Sequence, residues 1–145
     1  MWQLPFFPGP VSQGESADMM SFTRPFSILI TDDDAAARET LRDIFEPAGY
    51  QTILAESGEH AIDIVRRQEV HLALMDMYLP RLTGLETMEI VRQIKGAFPT
   101  ILLSADSDEM LMRRALSAHV FCVLNKPVSR HAVTHAVSRA LEKFY

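Results

Sequence analysis

Asp32 and Asp33 end the apolar run Ile28-Leu-Ile-Thr31, and Asp76 ends a second run, His71-Leu-Ala-Leu-Met75. If the two runs are neighbouring parallel strands, three carboxylates meet at the carboxyl edge of one sheet, where open α/β folds place their sites. Two later apolar runs add Ser104 and Lys126, a hydroxyl and an amine facing the same edge. Like charges crowded into a cleft raise one another's pKa, and a hard divalent cation removes that penalty. Mg²⁺ suits a few carboxylates together with waters and phosphate oxygens. A carboxylate is also a nucleophile toward phosphorus, and Lys126 and Ser104 would supply the charge and hydrogen bonds that a transferring phosphoryl group needs. Each residue alone has a plainer role: Asp34 reads as a helix N-cap, and an isolated Ser104 as a structural hydroxyl. Their recurrence at successive strand ends is what points to chemistry.

These side chains need a scaffold, and the pattern from Phe26 onward supplies one. Apolar runs alternate five times with amphipathic stretches. Strands are expected near Ser27–Thr31, Gln51–Ala55, Leu72–Met75, Thr100–Leu103 and Val120–Leu124. Helices are expected near Ala35–Phe45, Gly58–Arg67, Gly84–Lys95, Glu109–Ser117 and Arg130–Phe144. Pro47-Ala-Gly49 stops the first helix, while Thr83-Gly-Leu-Glu86 and Asp106-Ser-Asp-Glu109 read as capping boxes or their acidic equivalent. Such alternation implies an α/β fold with a parallel sheet covered on both faces by right-handed crossovers. In the last helix, Val133, Ala136, Val137, Ala140 and Leu141 form a core-facing stripe.

Composition narrows the function. A chain of 145 residues, 48% apolar and 23% charged, is ordinary for a globular protein with one domain. Its net charge of −5 argues against binding to a nucleic-acid backbone. A single cysteine, Cys122, rules out a disulfide framework within the chain and reads as an inert buried thiol in a reducing, cytoplasmic setting. No apolar stretch is long enough to span a membrane, and the start of the chain lacks the basic region of a signal peptide. Residues 1–25 are rich in proline and lack periodicity, and read as a flexible extension before a domain over residues 26–145. Within it Trp2, Phe6 and Phe7 form a candidate docking patch, although disorder or an upstream start codon is the plainer account, and Met19 and Met20 would serve as starts.

The stretches Ile28-Leu-Ile-Thr-Asp-Asp-Asp34, Leu74-Met-Asp-Met-Tyr-Leu-Pro-Arg-Leu-Thr-Gly84, Ile101-Leu-Leu-Ser-Ala105 and Leu124-Asn-Lys-Pro127 resemble the receiver domain of bacterial two-component response regulators. The resemblance runs from Phe26 to the C-terminus. It implies a flavodoxin-like (βα)5 fold, a doubly wound five-stranded parallel sheet of order 2-1-3-4-5. It further implies a phosphorylation-controlled signalling switch, not an enzyme with a substrate of its own. A histidine kinase or phosphotransfer protein would pass a phosphoryl group to Asp76, changing the binding of an unknown downstream protein or being passed on. Mg²⁺, or Mn²⁺ in its place, would be held by Asp33, Asp76 and the backbone carbonyl of Tyr78, with Asp32 acting through a water. Lys126 would pair with phosphoryl oxygens, and Ser104 would bond to them after switching. Pro80 and Gly84 would shape the loop after Asp76, the small Ala105 would leave a path for the donor, and Lys126-Pro127 resembles the family's cis-proline junction. A monomer or weak dimer is expected.

Two departures bear on the switch. The aromatic residue common three positions before the lysine is Val123 here, and the small pair that usually opens the fifth strand is His119-Val120. Phe121 is aromatic but alternation would point it at the opposite face. A phosphatase of the haloacid-dehalogenase type, using Asp32 and Asp34, is the alternative reading of the first acidic cluster. It leaves Asp76 unexplained, and neither the cap domain nor the acidic pair after Lys126 is present. Met75, Met77, Met88, Met110 and Met112 are expected as gap fillers in or near the core. His131 and His135, one helical turn apart with no third ligand nearby, read as a solvated face.

Overall fold

A computed structural model describes residues 25–145 except Ser107. The expected extension, with Trp2, Phe6, Phe7, Met19 and Met20, lies outside the described residues save for Pro25.

The five strands are β1 (Ser27–Thr31), β2 (Gln51–Ala55), β3 (Leu72–Asp76), β4 (Thr100–Ser104) and β5 (Cys122–Asn125), all parallel in the order β2-β1-β3-β4-β5. The helices are α1 (Ala35–Phe45), α2 (Gly58–Arg67), α3 (Gly84–Lys95), α4 (Glu109–Ser117) and α5 (Arg130–Phe144). Although β1, β3 and β4 are buried throughout, their residues still alternate between two cores. Ile28, Ile30, Leu74 and Leu103 face α1 and α5, while Leu29, Met75 and Leu102 face α2, α3 and α4. The stripe of α5, from Val133 to Leu141, is buried as expected.

Local chemistry explains the boundaries. Asp34, Ser57 and Ser129 each accept a backbone N–H from the first turn of the following helix, and Thr83 with Glu86 closes a reciprocal capping box. Strands β3, β4 and β5 each end one residue later than expected, and two further boundaries are corrected. The cap of α4 is Asp108, which accepts from the Leu111 amide at 2.8 Å, not Asp106. The fifth strand begins at Cys122 instead of Val120. His119 adopts φ 64°, and the amides of His119 and Val120 bond back to the carbonyls of Leu116 and Ala115. That is a Schellman motif, so Val120, the first residue of the apolar run, is spent closing α4.

Methionines are corrected too. Met75, Met77 and Met88 are buried, but Met110 and Met112 are 71% and 47% exposed. In α4 only Leu111 and Ala115, one turn apart, reach the core. Cys122 is half-buried, and burial pushes its thiol pKa up against the pull of Arg139. No described helix is long and apolar enough to cross a membrane.

The backbone ladder continues past three strand ends. The Asp32 amide donates to the Ala55 carbonyl at 3.1 Å, Met77 to Leu103 at 2.8 Å, and Lys126 to Ser104 at 2.8 Å.

Candidate functional site

The adjacency of β1 and β3 brings the three acids together. Carboxylate oxygens of Asp32, Asp33 and Asp76 all lie within 4.8 Å of one another, the one such cluster of potential metal ligands among the described residues. Asp32 and Asp76 are buried and Asp33 is exposed. Lys126, delivered by the end of β5, spans the cluster: its Nζ is 3.2 Å from Asp32 and 3.3 Å from Asp76. Its peptide bond to Pro127 is cis.

Backbone donors complete the frame. The Asp34 amide donates to Asp32 Oδ1 at 2.9 Å, and the Tyr78 amide to Asp76 Oδ1 at 3.3 Å. Burial, reinforced by the Asp32 charge, raises the Asp76 pKa against the opposing pull of Lys126 and the Tyr78 amide. Burial also draws Lys126 down, but its hydrogen bond to Asp32 and the two carboxylate charges outweigh that and leave its pKa raised. The donor set is all hard oxygen, converging and negative, and so fits a small divalent cation such as Mg²⁺.

Ser104 is fully buried, and its hydroxyl is engaged by the backbone of Asp106. It donates to the Asp106 carbonyl at 2.6 Å and accepts from the Asp106 amide at 3.2 Å. Ala105 is exposed beside it. Val123, paired with Leu102, packs in the core under α2 to α4, whereas Phe121 packs on the α1 and α5 side. The two residues do face opposite ways. His131 and His135 stack at 6.0 Å on an exposed face, without a third ligand among the described residues.

Gly84 stands where the loop after Asp76 enters α3. A Cβ there would strike the backbone carbonyl of Asp76, so glycine permits α3 to start directly against the third acid. Three contributors escaped the sequence reading. Arg38 donates to the Asp32 carbonyl at 2.6 Å. Arg81, at φ 67°, reaches Glu59 at 2.9 Å and straps the loop after Asp76 to α2. A basic residue one turn inside α1 was a visible signal for Arg38; nothing local marks the Arg81–Glu59 pair.

Fold and cluster together define a doubly wound α/β domain with its acids at the switch point of the sheet. The chain belongs to the response regulator receiver domain family, whose model matches residues 28–138. It is a phosphorylation-controlled signalling domain, not an enzyme in the usual sense. It is 28% identical over 120 residues to the transcriptional regulatory protein GlrR of Escherichia coli (strain K12), covering 83% of this chain and 27% of that one. It is 29% identical over 114 residues to the sporulation initiation phosphotransferase F of Bacillus subtilis (strain 168), covering 79% of this chain and 92% of the relative. The chain thus spans little more than a quarter of the first relative's length and nearly all of the second's. A receiver domain protein (CheY-like) from Methanospirillum hungatei JF-1 shares the fold with a TM-score of 0.79 at 23% identity, over 83% of this chain and 96% of that one. The dehalogenase-type alternative fails: Asp34 is a helix cap bound to the Ala37 amide, while Asp76, idle in that reading, shares Lys126 with Asp32.

Proposed function

We propose that Asp76 is the phosphoacceptor of this domain. The observation that carries the assignment is Lys126, whose ammonium bridges Asp76 and Asp32 at 3.3 and 3.2 Å. An Asp76 oxygen attacks phosphorus, the P–N bond of a donor phosphohistidine breaks, and its electron pair returns to the imidazole, which takes up a proton. Lys126 stays beside the acceptor and balances the charge on the phosphoryl oxygens. Asp33, Asp76 and the Tyr78 carbonyl would hold Mg²⁺ or Mn²⁺, with Asp32 acting through a water. A hard dication bound there supplies neutralisation of the crowded oxygens. Attack of water on the acyl phosphate ends the signal.

Ser104 is the switch residue. To bond a phosphoryl oxygen its hydroxyl must leave the Asp106 carbonyl, which frees the segment after β4 to rearrange. That difference in contacts is what allows phosphorylation to shift the equilibrium between two states. Val123 has no ring to swing into the space so vacated.

On this reading the donor is a histidine kinase or a phosphotransfer protein, and the product acts on a downstream protein or passes the phosphoryl group onward. Similarity along 92% of a phosphotransferase supports the relay role. The domain works in the cytoplasm as a monomer or weak dimer, with no direct contact to nucleic acid or membrane. Intact mass spectrometry after incubation with acetyl phosphate tests the assignment. A phosphoryl adduct should form only with Mg²⁺ or Mn²⁺ and vanish in Asp76→Asn; an adduct that persists in that variant overturns it.

A further inference from the structure

Helix α3 is treated very differently on its two sides. Toward α2 the packing is close: Gly58 of α2 lies against Thr87 of α3, where a Cβ would collide with the threonine hydroxyl. Toward α4 the helices hardly meet. The gap is a continuous groove made of three depressions that share residues. One of about 420 Å³ lies at the aromatic end, near Phe98, Phe121 and Phe144. It shares Arg92 and His119 with a second of about 540 Å³, which shares Glu89 and Ser117 with a third of about 250 Å³ beside Arg113 and Arg114.

The groove's charge opposes that of the molecule. The chain carries −5, yet Arg92, Arg113, Arg114 and Lys143 line this cleft against one acid, Glu89. Arg113 pairs with Glu109, whereas Arg92, Arg114 and Lys143 join none of the ion pairs among the described residues. Lys143 instead lies 5.9 Å from the Phe121 ring centre and 6.0 Å from that of Phe144. Leu116, 77% exposed, borders the same end. Cations without carboxylate partners, set beside open apolar surface, complement an acidic segment bearing an apolar anchor.

Position links the groove to the switch. Its α3 wall follows the loop after Asp76, and its α4 wall follows the segment after Ser104. We propose that the groove between α3 and α4 holds an acidic segment of a partner protein. An apolar side chain lodges at the aromatic end, carboxylates lie along Arg92 and Arg114, and phosphorylation resets the spacing of the walls. The regulation rests on Asp76 being the phosphoacceptor; the binding chemistry does not.

The test uses the full chain and a fluorescein-labelled synthetic peptide of alternating glutamate and leucine with one tryptophan. Anisotropy gives affinity, and amide chemical-shift mapping gives location. Shifts should centre on Arg92, Ala97, Ser117 and His119. The pair Arg92→Glu with Arg114→Glu, checked for an intact amide spectrum, should weaken binding roughly tenfold. Beryllofluoride with Mg²⁺ should change the affinity. Shifts centred elsewhere, or unchanged binding by the double variant, overturn the site. Unchanged affinity with beryllofluoride, in protein that does phosphorylate on Asp76, overturns the regulation alone. If Asp76 takes no phosphoryl group, the acceptor assignment fails and the titration of unmodified protein still decides the groove. Self-association of the chain that the double variant abolishes would assign the groove to a second copy and overturn the partner.

Discussion

The guanidinium of Arg38 donates to the backbone carbonyl of Asp32 at 2.6 Å, tying the acidic loop to the helix that follows it. The Asp32 carboxylate is held separately, by the Asp34 amide on one oxygen and Lys126 on the other. Removal of Arg38 releases the main chain of the loop without touching any carboxylate. Arg38→Ala should cost about 1.5–3 kcal/mol of stability, as for one charge-assisted hydrogen bond, and should slow phosphorylation of Asp76 several-fold. Unfolding curves beside mass-spectrometric rates would show it, and an unchanged rate in Arg38→Ala would remove the positioning role.

The two neighbouring acids should differ in what they do for a metal. On the proposed assignment, loss of Asp33 would remove a direct charged ligand and should weaken Mg²⁺ binding by about a hundredfold, whereas loss of Asp32 should weaken it by about tenfold. Metal titration followed by NMR or fluorescence separates them. Equal and negligible effects would cancel both roles.

Asp76 makes stability depend on pH in a definite direction. Its pKa is raised first by burial and then by Asp32, so ionising it costs the fold. The stability of the neutral form is complete below the unfolded value of about 3.9 and is lost as pH rises through the raised folded value. Asp76→Asn stays neutral throughout. Without metal at neutral pH it should be more stable than the parent, with the higher Tm. The gap should close on acidification, and Mg²⁺ should narrow it by stabilising the parent. Calorimetry in a chelator decides; a less stable Asn variant at neutral pH would mean that attraction to Lys126 dominates.

Two glycines offer a paired test. Gly84→Ala puts a methyl group into the Asp76 carbonyl, which neither backbone can avoid, and should cost about 1–3 kcal/mol and impair phosphorylation. Gly49→Ala meets nothing within 4 Å but must adopt φ 100°. It should cost about 1 kcal/mol and leave phosphorylation intact. Equal phosphorylation rates in the two variants would count against the close approach at Gly84.

Activation should be read in the loops. With beryllofluoride, amide shifts are expected over residues 77–83 and 105–108, and should be smaller at Val123 and along α5. The reverse pattern, large shifts over Val123 to Lys126 and α5 with little near Ser104, would show that the domain switches in spite of lacking the ring.

The acids were legible in the sequence because each ends an apolar run, and strand adjacency does the rest. Strand and helix centres were legible for the same periodic reason. Boundaries failed where a backbone state decided them: His119 in the left-handed region moved the start of β5, and the Asp108 carboxylate took the cap expected of Asp106. Met110 and Met112 were judged by residue type, but helix phase gives the core to Leu111 and Ala115. Arg81 and Glu59 are 22 residues apart and meet only because α2 and the loop after Asp76 fold side by side.

The hydrogen bonds that continue the ladder past the strand ends divide the site by timescale. Amides of Asp32, Met77 and Lys126 are locked to neighbouring strands, so their protons should exchange with solvent only when the sheet itself opens. Those of Tyr78 and Asp106 are held only by side chains, at 3.3 and 3.2 Å, and exchange through local opening. Asp76 and Lys126 are therefore flanked by backbone locked into the sheet, while the segments beyond them are held by side chains alone. Loop rearrangement on the order of microseconds to milliseconds can then repeat many times without disturbing the frame that holds Asp76.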